Sequence, residues 1–423
     1  MYNLKMRIFI FLLCAAGITA PAFAEGTGGG LEKTAREISA RIVEKPARVE
    51  ELFDKSVFRH ISLEKLTEAL AGVYRENGAV SATIFVSSMP GSGRFFLDTE
   101  RGARVPMTLS LDAASGKISG IFFSAAYLKD PSLKAVRERL AALPGKTGLL
   151  VRRLDGEQES LESHNGDAYF AVGSAFKLYV LGAMLKEGLS WEKVFRLKEE
   201  EKSLPSGRLR DWPGGSPLTA HTLAALMISD SDNTASDLLI SALGRRTIEA
   251  DLAELGHSDP GRLKPFLKTS EMFRLKSGTE AALAYLNLPL ERKYDFLSSL
   301  SKTPLSLEKV PRSPFGVDKL EWFASPADLC RLMAYFSGKK DGKALEILAL
   351  NPGLNIPREN FLYAGYKGGS EPGVLSMTWL LKNRNSKWFC LSAAWNDENT
   401  GLKETEFFRL MQSAINALGE SDK

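Results

Sequence analysis

Ser174-Ala-Phe-Lys177 sets a hydroxyl and an amine three residues apart, the spacing that puts both on one face of a helix. Such a pair can work as nucleophile and base once the amine has lost its proton, and burial promotes that loss by disfavouring the ammonium. Ser62, Ser190, Ser299, Ser306 and Ser337 are also followed by lysine three positions later, so the surroundings must separate Ser174 from them. The stretch from Tyr169 to Leu185 is almost continuously apolar and small-residue rich, and reads as a buried helix entered through Gly173. A serine in the first turn of that helix lies where backbone N–H groups can stabilise an oxyanion. The lysines after Ser62 and Ser190 each follow a glutamate and read as solvated.

Two further polar signatures follow in the chain. Ser231-Asp232-Asn233 stands between the apolar runs Leu223–Ile228 and Thr234–Ile240, at a junction between two helices. Serine, aspartate and asparagine are also ordinary helix caps, so this signature alone is ambiguous. Lys367-Gly368-Gly369 precedes two strand-like runs, Val374–Lys382 and Lys387–Asn396, parted by the turn signal Asn383-Arg-Asn-Ser386. A helical stripe of Phe407, Leu410, Met411, Ala414 and Leu418 closes the chain.

In this order the three signatures resemble the active site of the penicillin-recognising serine hydrolases, and residues 132–423 resemble a class A β-lactamase domain. The resemblance implies an α+β fold, with a central antiparallel sheet flanked by helices. It implies Ser174 as nucleophile, Lys177 as base and Ser231 as proton relay to the leaving nitrogen. Asn233 would bind the substrate amide and orient the lysine, and a charged Lys367 would hold a substrate carboxylate. Gly369 and Ser370 continue the substrate-facing strand, with the Ser370 N–H pairing with that of Ser174 as an oxyanion hole. The family's Lys-Thr/Ser-Gly pattern also occurs literally at Lys146-Thr-Gly148 and Lys276-Ser-Gly278. Lys146 instead leads into the first strand, and Lys276 is followed by the helix-like run Thr279–Leu286.

The sequence departs from the family in two places. No Glu-x-x-Leu-Asn string, which would present the deacylating glutamate, occurs between Asn233 and Pro326, and this interval is enlarged near residues 258–316. Glu271 is the best-placed replacement, although Thr269 and Ser270 before it also make it an ordinary acidic residue of a helix start. Gly368 stands where the family carries a hydroxyl that helps to bind the substrate carboxylate. The expected reaction is opening of a β-lactam or related amide or ester through an acyl-serine. A peptidoglycan carboxypeptidase or an esterase would use the same constellation, and a protein acylated once would be a binder or sensor.

Residues 1–24 read as a secretory leader: Lys5 and Arg7 flank the apolar run Ile8–Ile18, and Ala22-Phe-Ala24 supplies a small-x-small cleavage pattern. The expected location is therefore exported, periplasmic or extracellular, without a membrane anchor once the leader is removed. Residues 25–131 read as two helices, marked by Leu31, Ala35, Ile38 and Ile42 and by Leu63–Tyr74, then four strands. This layout is similar to small cone-shaped domains of the nuclear-transport-factor or steroid-isomerase type. A chain of 423 residues with 44% hydrophobic content can bury two such cores. The formal charge of +4 falls to +2 without Lys5 and Arg7, and no basic run points to nucleic acid. The four histidines show no metal-ligand spacing, and no phosphate-cradling loop or other cofactor signature appears. Cys330 and Cys390 fall in apolar helix and strand patterns and read as two buried thiols in preference to a disulfide, although an exported compartment would permit the bond.

Overall fold

The computed structural model describes residues 28–156, 159–301, 303–339 and 342–420. The leader expected at residues 1–24 lies outside them. The chain divides into two units, one of Ser132–Phe407 with Ala414 onward, the other running to Pro131 and including Phe408–Ser413.

In the unit that runs to Pro131, helices Gly28–Ser39 and Leu63–Asn77 precede four antiparallel strands, Val80–Met89, Ser92–Thr99, Ala103–Leu111 and Ile118–Phe123, paired in chain order. The short strand Tyr127–Leu128 adds to the third. Ser62 caps the second helix by accepting the Lys65 N–H. Along the third strand, Ala103, Val105, Met107 and Leu109 alternate into the core, as the two-residue period of a half-buried strand requires. They share that core with Leu31, Ile38, Leu66, Leu70, Phe95 and Leu97.

The second unit is built on a five-stranded antiparallel sheet in the order Phe361–Glu371, Val374–Asn383, Trp388–Asn396, Lys146–Arg153, Ser160–His164. The strands from Val374 and Trp388 are buried almost throughout, and the strand from Lys146 buries its middle, Thr147–Val151. Helices Lys177–Lys186, Ala220–Ser229, Asn233–Leu243 and Pro326–Ser337 carry a shared core that includes Phe176, Tyr179, Leu223, Leu239, Leu332 and Phe336. The terminal helix Glu404–Glu420, whose residues Phe408–Ser413 group with the other unit, buries Phe407, Leu410, Met411, Ala414 and Leu418, the stripe read from sequence. Helices Thr269–Lys276, Thr279–Leu286 and Leu290–Leu300 occupy the enlarged interval and give Met272, Leu275, Tyr285 and Leu297 to the same core, which Phe266, just before the first of them, also enters. The insertion is therefore folded mass with its own apolar faces.

The cysteine reading needs correction. Cys330, on the helix Pro326–Ser337, and Cys390, on the strand Trp388–Asn396, are disulfide-bonded, with Cα atoms 5.5 Å apart. Sixty residues separate them, and a helix packed on the sheet brings them together, a proximity that apolar patterning cannot reveal.

Candidate active site

Ser174 lies on a tight 3-10 turn, Gly173–Phe176, which passes directly into the helix Lys177–Lys186. The expected single helix thus begins one turn later, and the serine sits on the tighter entry. Gly173 has φ +48°, a left-handed conformation suited to glycine, and swings the chain into the turn. Phe176 anchors the turn from below by stacking on Trp322, with ring centroids 4.0 Å apart. The helix behind it is buried on every side, and Lys177 is fully enclosed.

Lys177 Nζ donates to the Ser231 carbonyl at 2.7 Å and to Asn233 Oδ1 at 2.7 Å, and lies 3.2 Å from Ser231 Oγ. Burial pulls the amine down to about 7, against the opposing influence of Asp232, Asp237 and Glu371. A neutral amine has two N–H groups, which the two short contacts use, and its lone pair is left to accept a proton. Asn233 is fixed in turn, because its Nδ2 donates to the Leu204 carbonyl at 2.9 Å.

Ser231 occupies the left-handed region, φ +55°, rare for a residue with a side chain. Its carbonyl is held by Lys177 and by Ser206 Oγ at 2.8 Å, which stabilises the turn. Asp232, fully buried, caps the helix Asn233–Leu243 by accepting the Ala235 N–H and also accepts the Leu209 N–H, both at 2.9 Å. Gly207 is required by this contact, since a Cβ there would overlap the Asp232 carboxylate.

Lys367, on the edge strand Phe361–Glu371, places Nζ 3.1 Å from Ser231 Oγ and donates to the Gly368 carbonyl at 2.6 Å. One hydroxyl therefore sits between two buried lysines. Burial, reinforced by the Lys177 charge, holds Lys367 well below its ordinary value. Enclosure and the neighbouring amine thus both oppose the charge that the sequence reading gave Lys367. Gly369 presses on the nucleophile turn, where a Cβ would overlap the Val172 carbonyl and the Ser174 nitrogen. Ser376 Oγ donates to the same Val172 carbonyl at 2.7 Å. At Gly368 the space for a side chain is taken by the Tyr366 hydroxyl. The Ser370 hydroxyl donates to Glu404 Oε1 at 3.2 Å.

Glu271 is not brought to this group. It forms a capping box at the start of Thr269–Lys276: Oε2 accepts the Lys268 N–H at 2.8 Å and Oε1 accepts from Arg245 at 2.5 Å. Both oxygens are engaged in holding the helix end, so the helix-start reading of this residue is the one realised. Sequence reasoning missed Asp237, which accepts the N–H groups of Thr269 and Ser270 and docks the inserted helix on Asn233–Leu243. It also missed Glu371, although alternation along the strand puts that residue on the same face as Lys367 and Gly369.

Residues 132–334 match the family model described as the beta-lactamase enzyme family. That stretch of the unit resembles the β-lactamase family. Among solved structures, the chain is similar to a beta-lactamase from Sphaerobacter thermophilus DSM 20745, at 19% identity over 68% of this chain and 96% of that one, with a TM-score of 0.48. PBP-A is similar at 17% identity over 70% of this chain and 99% of its own, TM-score 0.47. A beta-lactamase from Chitinophaga pinensis DSM 2588 is similar at 15% identity over 69% and 98%, TM-score 0.47. No curated protein matches the chain. The β-lactamase-like unit shares the α+β arrangement of antiparallel sheet and helices that the sequence motifs implied.

Proposed function

We propose that the β-lactamase-like unit is a serine hydrolase that opens β-lactams or related amides and esters through an acyl-serine. The observation that carries this reading is the Ser231 hydroxyl set between the amines of Lys177 and Lys367, 3.2 and 3.1 Å away. Neutral Lys177 takes the Ser174 proton as Oγ attacks the substrate carbonyl. The backbone N–H groups of Ser174 and Ser370 receive the developing oxyanion. Ser231 gives its proton to the leaving nitrogen and is resupplied from the flanking lysines. Asn233 positions the substrate amide while its Oδ1 holds Lys177, and Lys367 regains its charge as the substrate carboxylate arrives.

Export is part of the proposal. It is supported by the leader read at residues 1–24 and by the Cys330–Cys390 bond, which persists in oxidising compartments. The engagement of Glu271 as a helix cap favours a second reading, in which the acyl-enzyme persists and the protein acts as a penicillin-binding protein.

Intact mass and product formation, followed together on addition of a penicillin and a cephalosporin, test both readings. Many turnovers with a transient adduct mean a β-lactamase, and a stable one-equivalent adduct means a binder. Ser174→Ala should abolish the adduct, whereas an unchanged rate would remove Ser174 from the role of nucleophile.

A further inference from the structure

A buried charge cluster takes one member from the strand that packs on the nucleophile turn and has no part in the steps above. Lys276 Nζ donates to Glu321 and, at 2.6 Å, to Oε2 of Glu371. Side-chain exposure is 4% for Lys276, 0% for Glu321 and 9% for Glu371. Lys276 belongs to the Lys-Ser-Gly string that imitated the third signature in sequence.

Both carboxylates are anchored to the site by elements already described. Lys367, Gly369 and Glu371 are alternate residues of one strand and share its inward face. Lys367 reaches Ser231, Gly369 abuts the Ser174 nitrogen, and Glu371 follows roughly 7 Å further along. Glu321 immediately precedes Trp322, whose carbonyl accepts the Val172 N–H at 2.9 Å and whose ring supports Phe176. The Glu371 charge is also felt by Lys177.

Enclosing three ionisable groups opposes folding unless they are paired, and apolar side chains of the same volume would serve a purely structural purpose as well. Burial, then the neighbouring Glu371 charge, pushes Glu321 up to about 8. Of the two carboxylates that share Lys276, Glu371 is the less enclosed.

We propose that Glu371, held by Lys276 and backed by Glu321, is the base that activates the water discharging the Ser174 acyl-enzyme; this rests on the acyl-serine reading above. The carboxylate takes one proton from water while the water oxygen bonds to the acyl carbon. The tetrahedral intermediate then collapses with cleavage of the bond from carbon to Ser174 Oγ. The proton passes from Glu371 to that oxygen, and the acid departs with the remaining O–H.

The test follows acylation and deacylation separately by intact mass, on the full chain pulsed with a penicillin. Glu371→Gln leaves the Lys276–Glu321 pair in place. It should acylate within about threefold of the wild type and deacylate on the order of 100-fold more slowly, the usual contribution of a positioned base. Hydroxylamine, which needs no base, should discharge the variant adduct as fast as the wild-type one, a response that a structural role alone would not give. Deacylation within threefold of wild type, with acylation intact, overturns the proposal. If Glu371→Gln does not acylate, Glu371→Asp decides, because it keeps the charge but withdraws it by one methylene. Deacylation at least tenfold slower supports the assignment, and an unchanged rate overturns it. A wild-type adduct that never turns over also overturns it while leaving the acyl-serine reading intact, whereas no wild-type adduct removes that reading and the base with it.

Discussion

Replacing Lys177 with methionine tests whether the enclosed amine is neutral in the folded protein. Burial holds it at about 7, against an ordinary 10.5, with Asp232, Asp237 and Glu371 only partly offsetting that burial. Between these two values the unfolded chain binds the proton and the folded chain does not, so wild-type stability rises with pH across that window. At about 1.4 kcal/mol per pH unit of difference, the lysine burdens the fold by ~4 kcal/mol at pH 7 and by ~2 kcal/mol at pH 9. Methionine carries no such burden. Its loss of the hydrogen bonds to the Ser231 carbonyl and Asn233 Oδ1 adds an offset that does not change with pH. Lys367, depressed in both proteins, drops out of the difference to first order. Urea unfolding of both proteins at pH 6, 7, 8 and 9 should therefore show the wild type gaining on Lys177→Met by ~2 kcal/mol between pH 7 and 9. Parallel curves would mean a lysine of ordinary basicity, and the argument for a neutral base at Ser174 would fail. A consistent acylation rate would rise with pH and level off above about 7.

The two lysines of similar motif should separate cleanly. Lys276→Ala strands Glu321 and Glu371 without their cation and should lower stability by about 3–5 kcal/mol in urea unfolding. Lys367→Ala removes an amine whose enclosure opposes folding, so it should lower stability less than Lys276→Ala and kcat/KM far more, and the reverse pattern would show that the wrong lysine was placed in the relay. Gly369→Ala should suppress acylation at least tenfold in stopped-flow or mass measurements, because the new methyl group must displace the Ser174 nitrogen or the Val172 carbonyl; an unaffected rate would show that the strand can yield there.

What was legible in sequence was local. The apolar run around Ser174, the polar junction at Ser231 and the hairpin after Lys367 each carry their own pattern, and the antiparallel sheet and terminal helix follow from such patterns. Glu271 was legible as a helix start for the same reason, and that is the role it takes. Contacts that depend on packing were not legible. Cys330 and Cys390 meet only because a helix crosses the sheet, and Glu321 reaches Lys276 across 45 residues with no spacing signal. The depressed basicity of Lys367 likewise arises from enclosure beside Lys177, which no single motif encodes.

The edge strand Phe361–Glu371 works as a ruler. Lys367, Gly369 and Glu371 are graduations fixed by the pleat, so their separations cannot be adjusted one at a time. A slip of one residue would turn all three outward together and present Tyr366, Gly368 and Ser370 instead. The interval 258–316 is tied to this ruler at one point, since its Lys276 grips Glu371, and any change of length there must keep that grip in register.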